Sequence, residues 1–146
     1  MCGAEETRAL RLRRSLAGEM FAHARGRAPE ECCGFLGGVE RETAASVYPL
    51  TNVAREPAKS YEAAPAELFD AQRRMRERGE SLLAIYHSHP RAHDPTPSAT
   101  DVRLAFYPSA VYFIIGFDEQ GECVLRAFRV YEREGRWERA DFELTD

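Results

Sequence analysis

The segment Leu82-Leu83-Ala84-Ile85-Tyr86-His87-Ser88-His89-Pro90 passes from an apolar stretch into two histidines and a proline. Its first five residues are almost continuously apolar, which is typical of a strand covered on both faces in the middle of an α/β sheet. Because side chains alternate along a strand, His87 and His89 share one face if the strand continues through them. The segment therefore predicts a central strand that ends in two potential metal ligands, after which Pro90 turns the chain away.

Outward from this strand, the hydrophobic periodicity predicts further strands and helices in alternation. A helix with Ser15 as its N-cap is expected to be closed by Gly26 and Pro29, and a second helix is expected to begin at Pro65 and stop at Gly79. A short third helix is expected near residue 98, and residues 52–62 read as a polar, irregular connection. The other predicted strands span residues 9–13, 32–38, 43–50, 110–117, 122–131 and 137–144.

The whole chain has the size and composition of one α/β domain. It has 146 residues, of which 44% are hydrophobic and 30% charged, so we expect a single domain over residues 1–146. The net charge of −4 gives no electrostatic reason to bind nucleic acid or an anionic membrane. No apolar stretch of about 20 residues and no secretory signal is present, and a cytoplasmic location is expected. Four cysteines are predicted to be free thiols, Cys2, Cys32, Cys33 and Cys123.

A second polar motif begins at Ser98, after seven residues that separate it from Pro90. Ser98 and Asp101 are three apart on the predicted short helix and fall on one helical face. The S-x-x-D pattern also matches a capping box, and taken alone it favours that interpretation. With His87 and His89, however, Asp101 completes two histidines and one carboxylate, which with an open position is the usual composition of a catalytic zinc site. The same set is also the facial triad of non-haem iron oxygenases.

The combination of these motifs resembles the JAMM or MPN-plus zinc metalloproteases, whose pattern is an upstream glutamate followed by H-x-H-P and S-x-x-D. The segment from Pro29 to Leu36 is similar to the family's glutamate segment, with Glu31 rather than Glu30 at the acid-base position. The resemblance implies one Zn²⁺ per chain on His87, His89 and Asp101, with Ser98 stabilising the oxyanion. It also implies a central curved mixed β-sheet flanked by helices, of cytidine-deaminase-like architecture.

The resemblance further implies hydrolysis of a peptide or isopeptide bond at the C-terminal tail of a ubiquitin-like protein. The short chain is more similar to compact prokaryotic members that act on sulfur-carrier proteins. His93 is expected at a loop or substrate rim, and Cys33 is expected to pack in the core. Two alternatives for the function stay open, a noncatalytic scaffold of the same fold and a non-haem iron oxygenase. For the oligomeric state, a homodimer stays open.

Overall fold

A computed structural model describes residues 9–146, and the predictions made for Cys2 and the rest of the first eight residues lie outside this range. None of the helices in residues 9–146 is both long and apolar enough to cross a membrane. The described chain forms these elements in order: β1 (Leu10–Arg13), α1 (Arg14–Arg27), β2 (Cys33–Gly38), β3 (Ser46–Leu50), α2 (Pro65–Glu77), β4 (Ser81–Ser88), α3 (Ala99–Arg103), β5 (Val111–Phe117), β6 (Cys123–Tyr131), a 3-10 helix (Glu132–Glu134), β7 (Arg136–Arg139) and β8 (Phe142–Thr145).

Six of the strands form one mixed sheet in the order β3-β2-β4-β5-β6-β7. The pairing of β4 with β5 is parallel, and the other neighbours in this sheet are antiparallel. β4 lies inside the sheet, and all its residues from Leu83 to Ser88 are buried. The predicted central strand and the predicted mixed sheet with helices are therefore confirmed.

The helices α1 and α2 pack on opposite faces of this sheet. Ala84 and Tyr86 of β4 belong to the same buried cluster as the apolar side of α1, whereas Ile85 belongs to the cluster that contains Met75 of α2 and Val102 of α3. This division follows from the alternation of side chains along a strand. Odd-numbered residues at the end of β4 consequently point to the face that carries α2 and α3.

The single strand predicted over residues 137–144 is wrong, because the chain forms two strands with different partners. β7 pairs antiparallel with β6, with Trp137 opposite Val130, whereas β8 pairs parallel with β1 in a separate two-stranded sheet. Phe142 packs edge-to-face on Phe113, with ring centroids 5.3 Å apart. Burial of this ring against the α1-side core draws the chain away from β6, and local alternation of residues contains no sign of that long-range contact.

The structure corrects the predicted starts of α1 and β3 and confirms the predicted start of α2. Ser15 is not the N-cap of α1, because the helix begins at Arg14 directly after β1 and has no side-chain cap. The strand predicted from residue 43 begins at Ser46. Pro65 does begin α2, and Gly79 follows the end of that helix with a φ of 68°, a left-handed conformation that glycine adopts without strain.

Candidate metal centre

The end of β4 holds His87 and His89 in extended backbone. His87 pairs with Cys33 of β2 and with Ile114 of β5, and the His89 amide donates to the carbonyl oxygen of Ile115 at 2.9 Å. The extended course therefore continues through His89, and both imidazoles point to the face of the sheet that carries α2 and α3. Their Nε2 atoms lie 3.0 Å apart. The structure thus brings the two histidines together as the strand alternation predicts.

Asp101 reaches the same point from the first turn of α3. Its Oδ2 lies 3.1 Å from His87 Nε2 and 3.0 Å from His89 Nε2. The same oxygen accepts a hydrogen bond from the Ser98 amide at 2.9 Å, and Ser98 Oγ accepts one from the Asp101 amide at 3.0 Å. The capping box predicted from S-x-x-D is therefore observed, and the carboxylate that completes it also faces the two histidines. A capping box holds the carboxylate in the orientation in which it faces the two histidines.

The carboxylate of Asp101 is held in its ionised form. Burial by itself would raise the pKa of Asp101, but the charge of His87 and hydrogen bonds from His87, His89 and the Ser98 amide outweigh burial. Together they hold the pKa of this carboxyl far below its usual range. Asp101 is consequently a negatively charged group at neutral pH, as a metal ligand must be.

The three side-chain atoms of His87, His89 and Asp101 form a triangle with sides of 3.0–3.1 Å. Hydrogen bonds satisfy at most two sides of such a triangle, since a neutral imidazole has one N–H and a carboxylate has none. A cation in contact with all three atoms satisfies them together. Two histidines and a carboxylate are a usual ligand set for catalytic zinc, so the residues present fit such an ion. The side chains are 1%, 16% and 11% exposed, so this point is shielded yet reachable.

Glu31 stands beside this triangle, two residues before Cys33 at the start of β2. Its carboxylate lies within 4.8 Å of ligand atoms of both histidines, so it is a fourth side chain able to contact a metal. Glu31 is buried, and Oε1 has no hydrogen-bond partner among the described residues. Burial raises the pKa of Glu31, against the opposing charges of His87 and His89. A carboxyl with a raised pKa exchanges protons more readily near neutral pH.

Ser88 is a residue whose role sequence reasoning missed, although it lies between the two histidines. Its Oγ accepts a hydrogen bond from the Cys32 amide at 2.8 Å, and its own amide donates to the Cys32 carbonyl at 3.1 Å. These bonds join the end of β4 to the chain immediately after Glu31. The alternation of the strand is the available signal, because it places Ser88 on the opposite face from the histidines, inside the core.

Tyr61 is the second contact that the sequence did not indicate. It belongs to the segment predicted as a polar connection, and its ring stacks on the imidazole of His87 with centroids 4.6 Å apart and planes 29° apart. The stacked ring restricts the orientation of the His87 imidazole. An aromatic residue in an irregular segment is the only available signal for this contact.

The three cysteines within residues 9–146 agree with the predicted free thiols, and His93 lies in the exposed loop after β4. Cys32, Cys33 and Cys123 are free thiols. Cys32 and Cys33 are buried in the clusters on opposite faces of the sheet, and burial raises their pKa to about 11 and about 12. Such thiols stay protonated at neutral pH and are poor nucleophiles. His93 is exposed and lies outside the group of converging side chains.

We expect Gly116→Ala to disturb the segment that joins His89 to Asp101. Gly116 lies in β5, and an added Cβ would collide with the carbonyl oxygen of Ala92 and lie 2.9 Å from Pro95 Cδ. The backbone at Ala92 and Pro95 cannot move without displacing the segment that joins His89 to Asp101. The expected result is a loss of about 1–3 kcal/mol in free energy of unfolding, measured by denaturant titration, together with weaker metal binding.

The control for this substitution is Gly18→Ala in α1, where an added Cβ has no heavy atom within 4 Å. Alanine in a helix is more favourable than glycine by up to about 1 kcal/mol, so this variant should be as stable as the parent or more so. Unchanged stability and metal affinity in Gly116→Ala would show that the 92–95 segment is not held against β5.

The sequence of this chain is similar to those of several known proteins. A protein-family model of prokaryotic homologues of the JAB domain matches residues 13–131. The chain is 38% identical over 104 residues to the desampylase of Haloferax volcanii, covering 68% of this chain and 74% of that protein. It is 36% identical over 122 residues to the CysO-cysteine peptidase of Mycobacterium tuberculosis, covering 83% and 82%.

Two further similarities agree with these matches. The chain is 39% identical over 105 residues to a probable TtuB-protein conjugate cleaving protease of Thermus thermophilus, covering 72% of this chain and 68% of that protein. Among solved structures, a solution structure from Desulfitobacterium hafniense has a TM-score of 0.80 and 34% identity, over 94% of this chain and 93% of that one. The fold is therefore similar along almost the whole described chain.

Proposed function

This chain belongs to the prokaryotic homologues of the JAB domain, and from that membership we propose that it is a zinc-dependent hydrolase of ubiquitin-like protein conjugates. The bond cleaved is a peptide or isopeptide bond at the C-terminal tail of a ubiquitin-like or sulfur-carrier protein. The observation that supports this most directly is the convergence of two imidazoles and one carboxylate beside a buried glutamate. A scaffold domain needs neither the ligand triangle nor the glutamate.

In this proposal His87, His89 and Asp101 hold one zinc ion per chain. When bound, zinc supplies polarisation of the scissile carbonyl and lowers the pKa of a water toward about 7. The chain's own contribution is to fix the three ligands. β4 fixes the two histidines through its pairing with β2 and β5, and the capping box of α3 fixes Asp101.

Glu31 moves the protons of the reaction. Its unpartnered Oε1 accepts a proton from the attacking water and then donates it to the nitrogen of the leaving amine. The raised pKa of this carboxyl assists the second transfer, because the protonated form is more accessible than for an exposed glutamate. One group therefore serves first as base and then as acid.

Ser98 stabilises the negative charge that develops on the carbonyl oxygen. Its Oγ already accepts a hydrogen bond from the Asp101 amide, so its hydroxyl proton is available to donate. A hydrogen-bond donor that is fixed before the reaction stabilises an oxyanion without reorganisation. The cap of α3 consequently orients Ser98 as well as Asp101.

The names of the relatives support the proposed substrate. A CysO-cysteine peptidase and a TtuB-protein conjugate cleaving protease differ in what leaves the carrier, a single amino acid in the first name and a protein in the second. Their shared element is the carrier's tail, so we assign the recognised part of the substrate to that tail. The whole of residues 1–146 acts as one domain in this proposal.

The experiment that tests this function combines metal analysis with cleavage of two probes. The probes are CysO carrying a C-terminal cysteine and a TtuB-protein conjugate, each followed by mass spectrometry. We expect about one zinc per chain, cleavage of at least one probe, and loss of cleavage when a chelator removes the metal. Zinc should restore the activity.

Other outcomes favour the alternatives. A protein that is reproducibly free of metal, with His87 and His89 intact, supports a scaffold. Bound iron with oxygen consumption supports the oxygenase. Cleavage of both probes that persists at full rate after complete removal of metal contradicts the zinc-dependent mechanism.

A further inference from the structure

Asn52 is a hydrogen-bonding hub close to the candidate site, in the segment after β3. Its side chain is partly buried, and both ends of its amide are in use. The two hydrogens of the Nδ2 group are shared among three carbonyl oxygens, the contact to Pro57 being the longest, and Oδ1 accepts from two backbone amides. These partners are the carbonyls of Glu31 at 2.9 Å, Ser60 at 3.0 Å and Pro57 at 3.3 Å, and the amides of Ala54 at 2.9 Å and Glu62 at 3.0 Å.

The main chain of Glu31 depends on this hub and not on the sheet. The pairing of β2 begins at Cys33, and Cys32 is held by Ser88. Glu31 is the next residue outward, and its amide donates to the Pro57 carbonyl at 2.8 Å while its carbonyl accepts from Asn52. Both backbone groups of Glu31 are therefore bound to the connection that follows β3.

The same connection carries Tyr61 to His87. Asn52 binds the carbonyl of Ser60, and the next residue places its ring on the His87 imidazole with a centroid separation of 4.6 Å. One side-chain amide thus fixes two groups that approach His87 from different parts of the chain. The carboxylate of Glu31 is one of them, within 4.8 Å of the histidine ligand atoms.

We propose that Asn52 is a positioning residue that acts on the reaction through Glu31. It binds the Glu31 main chain to the connection after β3, in which Tyr61 stacks on His87. The inference rests on the proposed function, because that function gives Glu31 its proton transfer. Asn52 itself touches no reacting atom. A small displacement of Glu31 suffices to slow the reaction, since proton transfer requires hydrogen-bond distance between carboxylate and water.

Only an amide fits the position, because the hub needs donors and an acceptor at once. In Asn52→Ala, the carbonyls of Glu31 and Ser60 and the amides of Ala54 and Glu62 lose their bond to Asn52, whereas the Pro57 carbonyl keeps its bond from the Glu31 amide. In Asn52→Asp, the acceptor is retained, but a carboxylate without protons replaces the donor group and faces three carbonyl oxygens. The two substitutions therefore remove the link to Glu31 in different ways and with different effects on the acceptor side.

The kinetic test measures kcat, KM and zinc content for both variants. We expect kcat to fall by about 10- to 100-fold, as is usual when the partner of an active-site group is removed, with KM within about twofold of the parent and about one zinc per chain. In a Glu31→Gln background, Asn52→Ala should cause no further loss, because the residue through which it acts is already inactive. If Asn52→Ala does not fold, Asn52→Ser, which keeps one hydroxyl donor, gives the same comparison.

Amide hydrogen exchange on the metal-free protein provides a test that does not depend on activity. In Asn52→Ala the amides of Ala54, Glu62 and Glu31 should exchange faster, whereas the buried Ile114 amide in β5 should keep its rate. Lys59→Ala is the matched control, because Lys59 lies in the same connection but is exposed, with its ammonium 3.6 Å from the exposed Glu56 carboxylate. Its kinetics and exchange should equal those of the parent.

Three results would overturn the role of Asn52. They are full kcat in an active protein that carries Asn52→Ala, a further loss in the Glu31→Gln background as large as in the parent, and faster exchange at Ile114 as well as in the loop. Failure of the unaltered protein to bind zinc or cleave either probe is a different result, because it removes the proposed function and this inference with it.

Discussion

Glu31→Gln is expected to lower kcat by about 10²- to 10⁴-fold, to a residual rate that can still be measured, and to leave the zinc content at about one per chain. The amide has nearly the shape of the carboxylate but cannot accept a proton from water, and general acid-base groups contribute about 10²- to 10⁴-fold to rate. The loss should appear in kcat for both carrier probes. Zinc is expected to remain because the triangle of His87, His89 and Asp101 is unchanged.

The stability of this variant gives an independent check. The pKa of Glu31 is raised in the folded chain, so its ionised form opposes folding at pH values above the ordinary glutamate pKa. Glutamine removes that charge, and thermal unfolding of the metal-free protein should therefore begin at the same temperature or higher. Loss of activity without loss of stability separates a chemical role from a structural one.

Glu30→Gln is the matched control, since Glu30 is the neighbouring residue and is exposed. It should keep full activity. If Glu30→Gln is inactive and Glu31→Gln is fully active, the acid-base residue is Glu30 and not Glu31. Full activity in both variants would remove the glutamate from the mechanism.

Asp101→Asn is expected to weaken zinc binding by more than about 100-fold, beyond the 10- to 100-fold usual for groups that only support a ligand. The neutral amide oxygen is a poorer ligand than the carboxylate, whose Oδ2 lies 3.0–3.1 Å from both imidazoles. Asparagine is also a good helix-terminal residue, so the start of α3 should be preserved. Competition against a chromophoric chelator measures the affinity, and activity should return at high zinc.

Asp94→Asn is the control for this prediction, because Asp94 lies in the same segment and forms an exposed ion pair with Arg126. Such surface pairs contribute about 0–1 kcal/mol, and zinc affinity should not change. Equal zinc affinity in Asp101→Asn and in the parent would contradict the ligand role of Asp101. It would point instead to Glu31 as the third ligand, since Glu31 also lies within reach of both histidines.

Local sequence patterns predict much of the candidate site. The alternation of strand residues predicts that His87 and His89 share a face, and the observed Nε2 separation of 3.0 Å agrees with it. The S-x-x-D pattern predicts the cap of α3, and the observed capping box has that form. Both patterns are short-range, so the geometry of a single strand or a single helical turn is enough to produce them.

The position of Glu31 relative to the histidines required more than local pattern. Only the resemblance to a family singled it out, because nothing in its own segment distinguishes a buried glutamate from a solvated one. Its position depends on distant segments, because Cys33 pairs with His87 while the Glu31 backbone is bound by Asn52 and Pro57. Sequence patterns of one segment contain no information about that pairing.

Sequence by itself determined the central strand, the pair of histidines at its end and the cap that carries Asp101, because each depends on residues within one turn or one strand. Tertiary structure alone decided that β8 leaves the large sheet for β1, and that Asn52 joins Glu31 to the connection bearing Tyr61. Those arrangements depend on burial and hydrogen bonding between distant segments. The pattern of residues 82–90 predicts the pair of histidines, whereas the contacts that hold Glu31 and His87 in place form only in the folded chain.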